Sequence, residues 1–260
     1  MKKLLDIMTA LRDPQTGCPW DIKQTCKTIV PYTLEEAYEV ADAIENGDMQ
    51  ELKSELGDLL FQVVFYAQIA KEHGDFDFSD VVDAISEKLI NRHPHVFSDE
   101  KDTDEASLNE KWEQSKALER DKSSASGQAS ILSGVAKALP SLTRAQKLQK
   151  RAAREGFDWP TMEPVIAKIE EELEELKEAV KEQEPSHIFE EAGDLLFSCV
   201  NLARHLEVDS EEALRACNQK FEQRFFYIEK HLQQAGRTLG ACTLDELEAL
   251  WQEAKLSLRN

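Results

Sequence analysis

The sequence predicts an all-α protein whose fold is built twice along one chain. Three observations carry that reading. Apolar residues recur at three- and four-residue spacing, as in Leu56, Leu59, Leu60, Val63 and Val64 and again in Leu195, Leu196, Val200 and Ala203, which is the period of an amphipathic helix. Alternation of the strand type is nearly absent, and ten glycines and eight prolines in 260 residues leave few of the breaks that short strands need. The pentapeptide GDLLF stands at Gly57–Phe61 and again at Gly193–Phe197, 136 positions later.

The elements follow in order. Met1 to Arg12 carries two lysines and a few leucines, but Asp6 interrupts it and no small-residue cleavage site follows, so it does not read as a signal peptide. No stretch approaches the roughly 18 to 20 apolar residues of a membrane span, and a cytoplasmic chain with no membrane partner is expected. A Glu-rich segment at Glu35–Glu39 (EEAYE) precedes the turn Asn46-Gly47-Asp48 and then the first GDLLF helix. Lys88 and Arg92 follow as K-x-x-x-R, and Pro94 in NRHPHVF interrupts the helix just after Arg92. Trp112 closes the first half in a W-x-E context.

Residues 121–130, DKSSASGQAS, can neither pack a core nor hold a helix firmly and read as a linker. They divide the chain into lobes 1–120 and 131–260. The second lobe opens with Lys147, Lys150, Arg151 and Arg154 at helical spacing, a stripe that either faces phosphate or is a solvated face. Glu171–Glu175 (EELEE), the turn Lys181–Ser186 (KEQEPS), GDLLF, Lys220 with Arg224, and Trp251 in WQE repeat the order of the first lobe. Registered together, Glu36, Glu39, Glu55 and Asp58 become Glu172, Glu175, Glu191 and Asp194, each 136 positions on. That common register reads as an internal duplication. Each unit is short for a stable monomer with a deep pocket, so helix pairing between lobes or chains is expected.

Charge narrows the function. Thirty-one basic against 51 acidic residues give −20, the wrong sign for a protein that neutralises nucleic-acid phosphates. Five widely spaced cysteines without a C-x-x-C pair argue against a disulfide framework or structural zinc, and reduced, mostly buried thiols are expected.

Residues three apart on a helix share a face, so Glu172 with Glu175, and Glu191 with Asp194, project in pairs. A hairpin turning at KEQEPS would set the pairs opposite each other, as would Asn46-Gly47-Asp48 in the first lobe. Two like charges 4 Å apart repel by about 4 kcal/mol at an effective dielectric near 20, so the cluster calls for cations or protons. An all-oxygen set without His or Cys selects Mg²⁺, with Mn²⁺ as a possible substitute. A di-iron bundle would want Glu-x-x-His on two helices. Glu170, Glu174, Glu178 and Glu182 read instead as a solvated face.

E-E-x-x-E followed by E-x-x-D resembles the signature of the MazG family, the all-α nucleoside triphosphate pyrophosphohydrolases. GCPWD (Gly17–Asp21), QTCKTIVPYTLEEAYEV (Gln24–Val40), RAAREGFDW (Arg151–Trp159) and NQKFEQRF (Asn218–Phe225) extend the resemblance over nearly the whole chain outside the linker. It implies Mg²⁺-dependent cleavage of nucleoside triphosphates between the α- and β-phosphates, and a homodimer whose paired helices complete four-helix-bundle sites. It further implies that Glu172, Glu175, Glu191 and Asp194 hold metal and that Lys220 and Arg224 hold the phosphate tail. Lys168, Glu171, Glu172, His187, Glu190 and Trp251 would join those two cations around the nucleotide. The first lobe would carry Glu36, Glu39, Glu55 and Asp58 as metal ligands, with Lys88 and Arg92.

The second lobe is expected to be the main catalytic one, and the first weaker or structural. Residues 1–120 have 13 basic and 26 acidic side chains, whereas 121–260 have 18 and 25. Trp20, Trp159 and Trp251 could stack on a base, the first two alternatively filling the core, and no residue reads a particular base. Three other readings stay open on the residues: an acidic helical interaction protein, a nucleotide binder without turnover, and a phosphatase releasing orthophosphate.

Overall fold

The computed structural model describes residues 1–97, Asp104 and residues 130–258. Trp112 and residues 121–129 of the expected linker lie outside the described residues. Among those described, every regular element is helical. The chain divides into two compact units, Met1–Glu119 and Arg120–Asn260.

The first unit contains α1 (Lys2–Leu11), the short α2 (Pro19–Lys23), α3 (Cys26–Asn46), α4 (Met49–His73), α5 (Phe78–Arg92) and a single turn, α6 (Pro94–Phe97). Thr25 caps α3 reciprocally with Thr28: its hydroxyl accepts from Thr28 N at 3.3 Å, while Thr28 Oγ1 accepts from Thr25 N at 2.9 Å. Two orphan amides at the helix start are thereby satisfied. α3 ends at Gly47, whose φ of 69° is a left-handed conformation that costs glycine nothing. Asp48 then caps α4, accepting from Gln50 N and Glu51 N at 2.9 and 3.0 Å. The long antiparallel hairpin α3–α4 results. Met8, Ile29, Val64, Phe65 and Ile69 form its core, with Leu4, Leu5, Phe61, Tyr66 and Phe78 around them.

A buried arginine ties the N-terminal segment to that hairpin. Arg12 Nε and Nη2 donate to Glu72 at 2.9 and 2.6 Å, and Nη1 donates to the carbonyls of Asp21 and Gln24 at 2.5 and 3.2 Å. The guanidinium also lies 5.3 Å from the Phe65 ring centre. Hydrogen bonds from Arg12, ahead of all other effects, hold the Glu72 carboxyl below its ordinary value. A depressed carboxylate stabilises the fold above its unfolded pKa, and that contribution is lost as pH falls through the lower folded value. Glu72→Gln is therefore expected to cost about 2 kcal/mol at pH 7 and progressively less below pH ~4.5. Urea melts of both proteins at pH 7 and pH 4 check this, and an equal loss at both pH values would contradict the linkage.

The second unit contains α7 (Ser141–Arg154), α8 (Met162–Glu182), α9 (Pro185–His205), α10 (Ser210–Gln234), a 3₁₀ turn at Leu239–Ala241 and α11 (Leu244–Ser257). α8 and α3 have the same bounds in the register of 136, and so do the turns. Gln183, at φ 58°, stands where the first lobe has Gly47, and Glu184 stands where it has Asp48. The left-handed residue is a glutamine here, at a cost of roughly 1 kcal/mol.

α7 packs on α9 and α10. The buried Gln146 donates to Val208 O at 2.9 Å and accepts from Ser210 N and Oγ at 3.1 and 3.0 Å. Gln149 donates to Phe197 O at 2.9 Å. Asp158 accepts from Arg204 Nη1 and Nη2 at 2.9 and 2.5 Å and contacts His205 Nε2 at 3.0 Å. The FDW part of RAAREGFDW thus latches the start of the hairpin to the end of α9.

Two expectations need correction. The cysteines are free, as expected, but Cys26, Cys199 and Cys217 are exposed and Cys18 and Cys242 half-buried. They lie on helix faces and loops outside the narrow core of each lobe. Trp20 and Trp159 do not fill the core either: they are 48% and 41% exposed, Trp20 meeting Tyr32 edge-on at 5.7 Å.

Candidate active site

The hairpin α8–α9 brings three of the four expected second-lobe carboxylates together. Oxygens of Glu172, Glu175 and Glu191 all lie within 4.8 Å of one another, and Glu36, Glu39 and Glu55 do the same on α3–α4. The i, i+3 spacing turns each helix-borne pair inward, and the tight Gly47 or Gln183 turn sets the facing helix in register. Asp58 and Asp194 are exposed and stand outside the two triads. Asp58 is still close enough that its charge acts on Glu36 and Glu55. Asp194 sits three residues beyond Glu191, near one turn of α9.

The triads carry repulsion. Burial, then the charges of Asp58, Glu39 and Glu55, pushes the Glu36 carboxyl above its ordinary value. Glu55 is raised by burial and by Glu39 and Asp58. In the second lobe burial and Glu172 raise Glu175, with Glu191 adding and Lys168 opposing. Glu172 is the most buried member, at 5% exposure. Lys168 Nζ stands 2.8 Å from Glu171 Oε1 and 2.8 Å from Glu172 Oε1, which holds its ammonium well above the usual lysine range. His187 bridges Glu182 at 3.0 Å and Glu191 at 3.2 Å. Its hydrogen bond to Glu182 is the main cause of its raised pKa. Glu190, its neighbour on α9, is exposed.

Compact all-oxygen sets of this kind fit a hard divalent cation, which would relieve the repulsion that raises Glu36, Glu55 and Glu175. Lys220 and Arg224 lie one turn apart on α10. Arg224 reaches over the Trp251 ring, 5.5 Å from its centre, and Trp251 packs against Phe221 at 5.2 Å. The structure therefore joins Arg224 and Trp251, which are distant in sequence. Lys220 is exposed, and among the described residues no ion pair joins either cation to the triad. In the first lobe Lys88 is exposed and Arg92 half-buried.

Sequence reasoning missed the direct contact of Lys168 with Glu172, although their i, i+4 spacing on one helix was available as a signal. It also missed Gln62, which is 6% exposed and donates to Glu36 Oε1 at 3.5 Å. A lone glutamine in an apolar stripe gives no such signal.

Comparison with known proteins meets this geometry. The sequence model of the MazG nucleotide pyrophosphohydrolase domain matches residues 24–97 and again 161–226, the two triad-bearing hairpins and the helices that follow them. The chain belongs to the MazG family. A nucleoside triphosphate pyrophosphohydrolase of Escherichia coli K12 is 50% identical over 257 residues, 97% of this MazG chain and 96% of that protein. A nucleoside triphosphate pyrophosphohydrolase/pyrophosphatase MazG of Thermotoga maritima is 44% identical over 98% of this chain and 95% of its own. The crystal structure of a mazG-related protein from Thermotoga maritima aligns with 45% of this chain and 99% of that one, with 28% identity and a TM-score of 0.39. Both MazG matches begin before the Glu-x-x-Glu pair and end just beyond the K-x-x-x-R cations. No described helix is long and apolar enough to cross a membrane.

Proposed function

We propose that this MazG chain is a nucleoside triphosphate pyrophosphohydrolase acting mainly through its second lobe. In this reading it splits nucleoside and deoxynucleoside triphosphates to the monophosphate and pyrophosphate, as part of nucleotide-pool control in the cytoplasm. The observation that carries it is the Glu172–Glu175–Glu191 triad on a MazG hairpin, beside an α10 that bears Lys220 and Arg224.

Glu172, Glu175 and Glu191 would hold Mg²⁺, or Mn²⁺ in its place, with Asp194 one turn beyond. When bound, the metal neutralises the triphosphate against the carboxylates, polarises the phosphorus and acidifies water. Water oxygen bonds to the α-phosphorus while the bond to the α–β bridging oxygen breaks. A carboxylate of the cluster takes the water's proton, and the bridging oxygen leaves with pyrophosphate. Lys220 and Arg224 stabilise the charge gathering on that leaving group. Lys168, Glu171, His187 and Glu190 border the triad and complete the nucleotide site. Trp251, braced by Phe221 and Arg224, offers an aromatic face that any base can stack on, which supports broad base tolerance.

A homodimer is part of the reading. Leu173, Val180, Leu196, Phe197, Phe221 and Phe226 are all exposed on the helices that carry the second-lobe site, and a second copy would cover them.

Product analysis tests it. Each common NTP and dNTP is incubated with the protein, with Mg²⁺ and with chelator, and the same preparation is sedimented. Monophosphate with pyrophosphate, lost with chelator, from a particle of twice the 29.5 kDa chain is the expected result. Orthophosphate as the direct product would overturn the α-phosphorus assignment, and a monodisperse monomer would remove the dimer.

A further inference from the structure

The two triads differ in the protein nitrogens that stand against them. In the second lobe Lys168 Nζ lies 2.8 Å from Glu172 Oε1 and His187 Nε2 lies 3.2 Å from Glu191 Oε1, so two of three members carry a nitrogen of the protein itself. In the register of 136 the first lobe has Tyr32 where the second has Lys168, and Glu51 where it has His187. Tyr32 turns to the Trp20 ring, and Glu51 donates its backbone amide to the Asp48 cap. Among the described residues no ion pair involves Glu36, Glu39 or Glu55.

We propose that Lys168 is the resident counter-ion of the second-lobe carboxylates, so that this lobe takes up a divalent cation by exchange against Lys168 whereas the first lobe takes it up directly. An ammonium on one Glu172 oxygen and a dication on the same carboxylate group repel each other, and moving one of them away relieves that repulsion. Lys168 is the one able to do so. It has a flexible four-carbon stem, and its side chain is 33% exposed while that of Glu172 is 7% exposed. Once displaced, the ammonium stays tethered one turn from the triad, where an incoming phosphate needs a cation. Metal occupancy and phosphate capture would then be coupled through one side chain, with metal entering first. The inference rests on the metal reading given above.

Mn²⁺ binding without nucleotide, followed by electron paramagnetic resonance, tests it in a Glu36→Gln, Glu55→Gln background that silences the first lobe. Lys168→Met is expected to tighten Mn²⁺ binding about three- to tenfold and to enlarge the rise in melting temperature that Mn²⁺ produces. Lys177→Met removes the same charge from a pair with Glu174 in which both side chains are more than half exposed, and it should leave Mn²⁺ binding unchanged. Unchanged or weaker Mn²⁺ binding in Lys168→Met, or an equal gain in Lys177→Met, would overturn the counter-ion role while leaving the metal site standing. Absence of any Mn²⁺ binding that Glu172→Gln removes would overturn both.

Discussion

Glu172→Ala is expected to lower pyrophosphate release at least about a thousandfold, while Glu36→Ala keeps most of it. Glu172 is central to the second-lobe triad, with 5% exposure and oxygens within reach of both Glu175 and Glu191. In the proposed mechanism its loss would remove a metal ligand, and Lys168 would keep only Glu171 as an ion-pair partner. Removing one preorganised electrostatic contact from a reaction centre commonly costs about 10² to 10³ in rate, and a lost metal adds its own contribution. The fold should survive, because the freed Lys168 is part-exposed and keeps Glu171. A coupled pyrophosphate assay at saturating Mg²⁺, with thermal melts alongside, separates activity from stability. Equal losses in the two variants would sink the assignment of catalysis to the second lobe.

Gly17→Ala is expected to destabilise the first lobe by about 3 kcal/mol, the upper end of ordinary overpacking costs. A Cβ at Gly17 would collide with Leu11 O and lie 2.6 Å from Asp13 O and 2.8 Å from Asp13 N. All three are backbone atoms, so no side chain can swing aside. The same turn is fixed from both ends: Gly17 N donates to Asp13 O at 2.9 Å and Cys18 N donates to Leu11 O at 2.8 Å. To admit a methyl group the turn must open, which disturbs Arg12 and its bonds to Asp21, Gln24 and Glu72. Urea unfolding compared with a Gly236→Ala control checks this. Gly236 has open space around its Cβ position but a φ of 65°, so it reads conformational strain without collision. A loss at Gly17 no larger than at Gly236 would contradict the steric argument.

The fold class, the duplication and the hairpin turns were legible because they rest on local signals. Helical spacing, the Asn46-Gly47-Asp48 turn and Pro185 are written in adjacent residues, and one shared register then links the lobes. The gathering of three of the four carboxylates in each lobe was legible for the same reason, since i, i+3 pairs on helices joined by a short turn leave little freedom. The restraints on the lobes were not. Arg12 meets Glu72 across 60 positions and Asp158 meets Arg204 across 46. Nothing in a single sequence distinguishes those arginines from solvated ones. Of the two alternatives for Trp20 and Trp159, core packing fails because these thin hairpins leave both rings exposed.

The break at Pro94 bears on how firmly each lobe can aim its cations. Lys88 and Arg92 are the eleventh and fifteenth residues of α5, and Lys220 and Arg224 are the eleventh and fifteenth of α10. The offsets match, but α5 stops at fifteen residues, about 22 Å, and α10 runs on to 25, about 37 Å. The second lobe therefore presents its pair from the middle of a span anchored on both sides, with α11 docked along it. The first presents its pair from the last turns of α5, where the terminal carbonyls draw cations toward themselves. A charge held at mid-span can meet a transition state at a fixed distance.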